Sequence, residues 1–224
     1  MPRQPRAAVG GLVYHVLNRS NARLALFEDA GDYDAFVRVL AEAARRVPVR
    51  LIAYCVMPNH FHLILWPRDD GDLSRFMRWL TLTHTQRWHA HRHTAGTGHL
   101  YQGRFKSFPI QGDSHDVTAC RYVERNALRS GLVARAEHWR WGSLARETSA
   151  EAPTLSPGPI PHPPDWVERV NAALTPAEEE AMQRGILRGQ PLGDTNWQAE
   201  ITARLGLEST FRSRGRPKSK NNGP

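Results

Sequence analysis

Two histidines, His60 and His62, interrupt the apolar run Val56-Met-Pro-Asn-His-Phe-His-Leu-Ile-Leu-Trp66. Side chains two apart on a strand point to the same face. The pair thus presents two imidazoles side by side, with Phe61, Leu63 and Leu65 on the opposite face. Strand packing has no need of histidine, whereas a divalent metal needs neighbouring neutral imidazoles. A chain with eleven histidines also contains His-x-His by chance, and on this triplet alone the two origins are even.

A second constellation lies about sixty residues on, in His115-Asp-Val-Thr-Ala-Cys-Arg-Tyr-Val-Glu-Arg-Asn-Ala-Leu-Arg-Ser130. Helical spacing puts Tyr122 and Asn126 on one face and Arg121, Arg125 and Arg129 in an adjacent stripe. Val117, Cys120, Val123 and Ala127 can face a core. A phenol beside an amide oxygen, flanked by three guanidinium groups, can hold a phosphodiester. An amphipathic helix with a solvated basic face explains the same residues, and taken alone is the better account. His84, His89, His91, His93 and His99 are spaced too irregularly for one compact site and read as helix-surface and loop histidines.

Charge separates these alternatives. The 224 residues carry 30 Lys and Arg against 22 Asp and Glu, a net +8. Residues 1–150 hold 21 basic and 13 acidic groups, residues 151–224 nine of each, and the end from Phe211 has five basic groups and no acidic one. Arg outnumbers Lys, and Arg suits phosphate and base contacts. A coding bias explains Arg over Lys but not the positive balance. Cys55 and Cys120 form neither a disulfide framework nor a zinc motif and are expected to be buried thiols. No run of 18 apolar residues occurs, and the basic N-terminus lacks an apolar signal core. The expected location is cytoplasmic and nucleoid-associated, with DNA as partner and no membrane.

These residues need elements to position them. Residues 11–18 read as a strand, and 29–46 as a helix with Tyr33, Phe36, Val37, Leu40 and Ala44 on one face. Residues 49–56 and the His-Phe-His run form a hairpin around Met57-Pro-Asn59. Asp72 can cap a helix to about His91. Residues 103–110 read as a strand, and a helix runs from 113–116 to about Arg129, ended by Gly131. The order predicts an α+β fold, a ferredoxin-like antiparallel sheet with helices packed on one face and the other face free for a site. The expected divisions are a catalytic domain at 1–150, a Pro-rich linker at 151–165, a small helical extension at 166–210 and a basic flexible tail at 211–224.

Taken together, the motifs resemble the single-tyrosine HUH (His, bulky hydrophobic, His) transposases of the insertion-sequence-200-like group, most closely the REP-associated tyrosine transposases. The matching pieces are Tyr14-His-Val-Leu-Asn-Arg-Ser-Asn21, Met57-Pro-Asn-His-Phe-His62, Tyr101-Gln-Gly-Arg-Phe-Lys-Ser-Phe108, and Tyr122-Val-Glu-Arg-Asn126 with Leu128-Arg-Ser-Gly-Leu-Val133. They occur in the family's order across about residues 10–145. The Gly-Gln-Pro-Leu-Gly193 turn and the Arg-Gly-Arg-Pro217 end are also similar to that branch. The resemblance implies a metal-dependent transposase that cleaves single-stranded DNA near a hairpin and rejoins it. Tyr122 would be the nucleophile, forming a 5′-phosphotyrosine, and His60, His62 and Asn126 would bind Mg²⁺ or Mn²⁺. Arg19, Tyr101, Arg104, Phe105, Lys106, Arg121, Arg125, Arg129, Arg214 and Arg216 are the expected DNA-binding residues, in a monomer or homodimer. Where that branch commonly has Asn-Pro, this chain has Asn126-Ala127, which touches substrate positioning. The competing expectation is a hairpin-binding regulator that keeps the fold without the activity. A replication initiator or relaxase is disfavoured by small size, one nucleophilic tyrosine and no helicase segment.

Overall fold

The computed structural model describes residues 8–145 and 151–212. Strands β1 (Val13–Arg19), β2 (Val49–Met57), β3 (His60–Pro67) and β4 (Lys106–Ile110) form one antiparallel sheet in the order β2-β3-β1-β4. Helix α1 (Ala30–Arg46) connects β1 to β2, and α2 (Asp72–Arg92) connects β3 to β4. That is the expected α+β class with a ferredoxin-like strand order. The Asp29 carboxylate caps α1 by accepting from the Asp32 amide, and Pro48 follows its end. Asp72 is not the cap of α2. It is the first helical residue, and Gly71 caps with φ +83°, a conformation that favours glycine.

Strand register explains how the faces divide. Phe61 lies opposite Asn18 and Val56, whereas His62 lies opposite Leu17 and Cys55. Opposed residues share a face. On the Phe61 face, Phe36 of α1 packs with its ring 4.8 Å from that of Phe61, and α2 adds Phe76, Met77 and Leu80 to the core. The two crossover helices therefore cover one face, as expected.

The opposite face is not free. Helix α3 (Ser114–Glu124) and its continuation α4 (Asn126–Arg129) lie on it. The helical bonding carries through Arg125, whose amide donates to Arg121 O while Arg129 donates to Arg125 O. Gly131 then ends the run at φ +71°, with the Leu132 amide returning to Ala127 O. Helices thus cover both faces. The cause is the apolar edge of α3, where Ala119, Cys120, Val123 and Ala127 are all buried.

Helices α5 (Trp166–Asn171), α6 (Pro176–Arg188) and α7 (Thr195–Leu205) follow. A Thr175–Glu178 capping box starts α6. Gly185 lets α6 approach β4, since a Cβ there would stand 2.7 Å from the Phe108 ring. Leu192 bonds β4 at Pro109 and Gln111, extending the sheet edge. The Pro-rich stretch does not cross solvent, because the Ser156 amide donates to Leu51 O of β2. Among the described residues no helix is long and apolar enough to cross a membrane.

Candidate active site

Strand β3 delivers both histidines to the face covered by α3. Their rings stand 4.9 Å apart and nearly perpendicular. His60 Nδ1 is 2.7 Å from Asn59 Oδ1, an oxygen that only accepts, so the Nδ1 carries the proton and Nε2 the lone pair. His62 Nδ1 is 2.8 Å from Nε2 of buried His15 on β1. With the His62 proton on Nδ1, donated to His15, its Nε2 is likewise the unprotonated nitrogen. Burial is the main force keeping all three rings neutral, depressing His60 to about 4, His15 to about 3 and His62 well below its ordinary value. Neutral imidazole with its second nitrogen held by a neighbour is the metal-binding form.

Arg19 ends β1 opposite His60, and its charge further lowers the basicity of both His60 and His62. Its buried Nε has no hydrogen-bond partner. A buried unpaired guanidinium nitrogen is costly and suits an incoming phosphate oxygen.

Tyr122 faces this group from α3. Its ring centre is 6.0 Å from that of His62 and 6.4 Å from that of His15. Its hydroxyl oxygen accepts from Arg129 Nη1 at 3.1 Å and from Gln183 Nε2 of α6 at 3.3 Å. Burial raises the phenol's pKa, while Arg129 opposes this through charge and hydrogen bond. Two donors already aimed at the oxygen would stabilise phenolate as it forms. Tyr122 is 3% exposed, so Gln183 and α6 must give way before a phosphate can reach it.

Asn126 follows one turn later and is buried. The Ala127 amide hydrogen bonds the thiol of Cys55, the cross-strand neighbour of His62, which anchors this turn on the histidine face. The Asn126 Nδ2 position is buried and unpartnered. Amide nitrogen and oxygen occupy equivalent positions, so the same place filled by Oδ1 offers a lone pair suited to a hard cation. Among the described residues no three His, Cys, Asp or Glu side chains gather to hold an ion, so a site here requires the amide. The neutral imidazoles and the orphaned amide fit that requirement.

Several expected DNA contacts are placed elsewhere. Arg121 donates to the carbonyls of Arg169, Ala172 and Ala173 and pairs with Glu178, and Arg125 donates to Ala172 O. Both guanidinium groups thus close the C-terminal end of α5 instead of facing solvent as a stripe. The helix packs by that side because the extension binds there. Tyr101 and Phe105 are buried, and the Tyr101 hydroxyl bonds His84 Nδ1 at 2.7 Å, so neither is an open stacking platform. Arg104 and Lys106 are exposed. Arg214 and Arg216 lie outside the described residues.

His15 and Gln183 complete the site, and sequence reasoning missed both. His15 stood within a quoted motif, but its role depends on β1 pairing with β3. Gln183 sits on a helix 61 residues beyond Tyr122, with no local signal.

A histidine pair on the central strand of an antiparallel sheet, faced by a helix-borne tyrosine, defines a single-tyrosine nuclease architecture. The family model described as "Transposase IS200 like" matches residues 8–126, and the chain belongs to that family. A Haemophilus influenzae protein named as a REP-associated tyrosine transposase is 22% identical over 144 residues, covering 60% of this chain and 77% of the relative. A solved structure described as a REP-associated tyrosine transposase bound to a REP hairpin shares the fold. Its TM-score is 0.53 at 20% identity, over 70% of this chain and 93% of that one. Family and branch are those expected from the motifs.

Proposed function

We propose that this transposase cleaves and rejoins single-stranded DNA beside a hairpin, using Tyr122 as nucleophile. The 6.0 Å approach of the Tyr122 ring to His62 carries the reading, since it joins the two halves of the sequence argument. The phenol oxygen attacks phosphorus as the P–O3′ bond breaks, giving a 5′-phosphotyrosine and a free 3′-OH, and the phenolic proton is lost. A free phenol ionises near pH 10, so Arg129 has to lower the cost of phenolate at neutral pH. Arg19 and the exposed Arg104 and Lys106 hold phosphates. His60, His62 and Asn126 would hold Mg²⁺ or Mn²⁺, which when bound polarises the scissile phosphate and offsets its growing charge.

Similarity to a protein named for a REP-hairpin association supports a hairpin substrate. The burial of Tyr122 beneath Gln183 favours a second reading, a hairpin-binding regulator without strand cleavage. Incubation with Mn²⁺ and hairpin oligonucleotides bearing unpaired flanks separates them. Cleavage by the parent and none by Tyr122→Phe is expected. Equal binding by both with no cleavage by either would establish the regulator.

A further inference from the structure

The largest cleft on the molecule lies off this site, between α2 and the loop 98–105, with a volume of about 960 Å³. Its lining contains no aspartate or glutamate. Arg78 on the helix wall and Arg104 on the loop wall are exposed, and neither makes an ion pair among the described residues. Elsewhere the chain pairs many of its arginines, as at Arg87–Glu42, Arg92–Asp32 and Arg135–Glu137. Two unpaired guanidinium groups facing across an acid-free cleft suit a polyanion.

The surfaces between them suit bases. Thr81 and Thr85 spend their hydroxyls on the Met77 and Thr81 carbonyls of their own helix, leaving methyl groups toward the cleft. Leu82 beside them is 52% exposed. Edges of the buried Tyr101 and Phe105 add further apolar lining. Asn18, Asn21, His99 and Gln102 supply the donors and acceptors that base edges require.

The cleft is continuous with the candidate active site through β1. Asn18 lines the cleft while the next residue, Arg19, lies opposite His60 on the other face. The Gln102 amide donates to Arg19 O, so the cleft loop is bonded to the strand end that bears both groups. A flexible strand leaving the tyrosine site around the end of β1 enters the cleft, whereas a stiff duplex cannot make that turn.

We propose that this cleft binds unpaired nucleotides of the DNA strand flanking the scissile phosphate, with Arg78 and Arg104 on phosphates and the Leu82 side against bases. The assignment to DNA rests on the transposase reading. The test uses the full-length protein and fluorescence anisotropy with a labelled 20-nucleotide oligothymidine and a 20-base-pair duplex. Arg78→Ala with Arg104→Ala should weaken oligothymidine binding about tenfold or more and reduce its salt slope by about two, one for each lost phosphate contact. Duplex affinity should stay within about twofold. Thr85→Trp fills the cleft without removing a charge and should weaken oligothymidine selectively as well. Equal losses on both probes, or no loss on oligothymidine from either variant, would overturn the assignment. The outcomes remain distinguishable from failure of the parent reading. A parent that binds oligothymidine through the cleft but never cleaves hairpin DNA refutes the transposase mechanism, while normal cleavage with cleft variants that bind like the parent refutes the cleft.

Discussion

Replacing His15 with phenylalanine isolates the second-layer support of the histidine pair. The ring of His15 is fully buried and stacks on Phe108 at 4.8 Å, so phenylalanine keeps the shape and the stack. It removes the 2.8 Å contact to His62 Nδ1. That nitrogen is then buried without a partner, which costs about 1–3 kcal/mol. For a chain of this size each kcal/mol lowers Tm by about 2–4 °C. Loss of the group that fixes tautomer and ring orientation should weaken metal binding about 10–100-fold. At about 1.4 kcal/mol per tenfold, that is about 1.4–2.7 kcal/mol. Titration calorimetry of Mn²⁺ into parent, His15→Phe and His15→Gln reads the effect directly. Glutamine retains an acceptor and should recover part of the affinity. If His15→Phe binds Mn²⁺ within twofold of the parent while its Tm falls, His15 is a packing residue and the reasoning fails.

Arg129→Ala removes one of two donors on the Tyr122 oxygen and the cation 5.3 Å from its ring, and should slow cleavage about 100-fold or more in single-turnover assays while leaving Mn²⁺ affinity unchanged. Arg121→Ala should lower Tm by several degrees and change DNA affinity by less than twofold, because its guanidinium holds the α5 carbonyls; a large loss of DNA binding at full stability would return it to the interface. Glu124 is buried, and burial raises its carboxyl from 4.5 to about 7 against the opposing hydrogen bonds of Ser143 and Trp166. Its folded form therefore prefers the proton, so this contribution to stability is present below pH 4.5 and lost as pH climbs through about 7, up to about 3 kcal/mol. Thermal melts of Glu124→Gln should show a flatter decline between pH 5 and 8 than the parent, and parallel curves would refute this.

Much of the scaffold was legible locally. The bounds of α1, α6 and α7, the β2–β3 hairpin and the Gly131 stop follow from periodicity, capping residues and turn chemistry, all of which act within a few residues. His60, His62, Tyr122 and Asn126 were legible by spacing, and pairing of β3 beneath α3 brings Tyr122 to the histidines. What failed depended on tertiary partners. Helical spacing put Arg121, Arg125 and Arg129 in one stripe, but the stripe is shared between two neighbours. Arg129 turns to Tyr122, while Arg121 and Arg125 are taken by the end of α5. Tyr101 looked like a stacking residue because it sits in a basic loop, yet His84 of α2 draws its hydroxyl inward. The covered second face followed from the same limit. The apolar side of α3 was visible, but not which surface would bury it.

The central claim is that Tyr122 is the residue that joins DNA. Protein incubated with Mn²⁺ and a hairpin oligonucleotide, then digested and mapped by mass spectrometry, answers it in one measurement. A nucleotide mass on the peptide containing Tyr122, attached through a 5′-phosphate and absent from Tyr122→Phe, is the predicted result. An adduct on any other residue, or cleavage by the parent that leaves no covalent protein–DNA species, would contradict it.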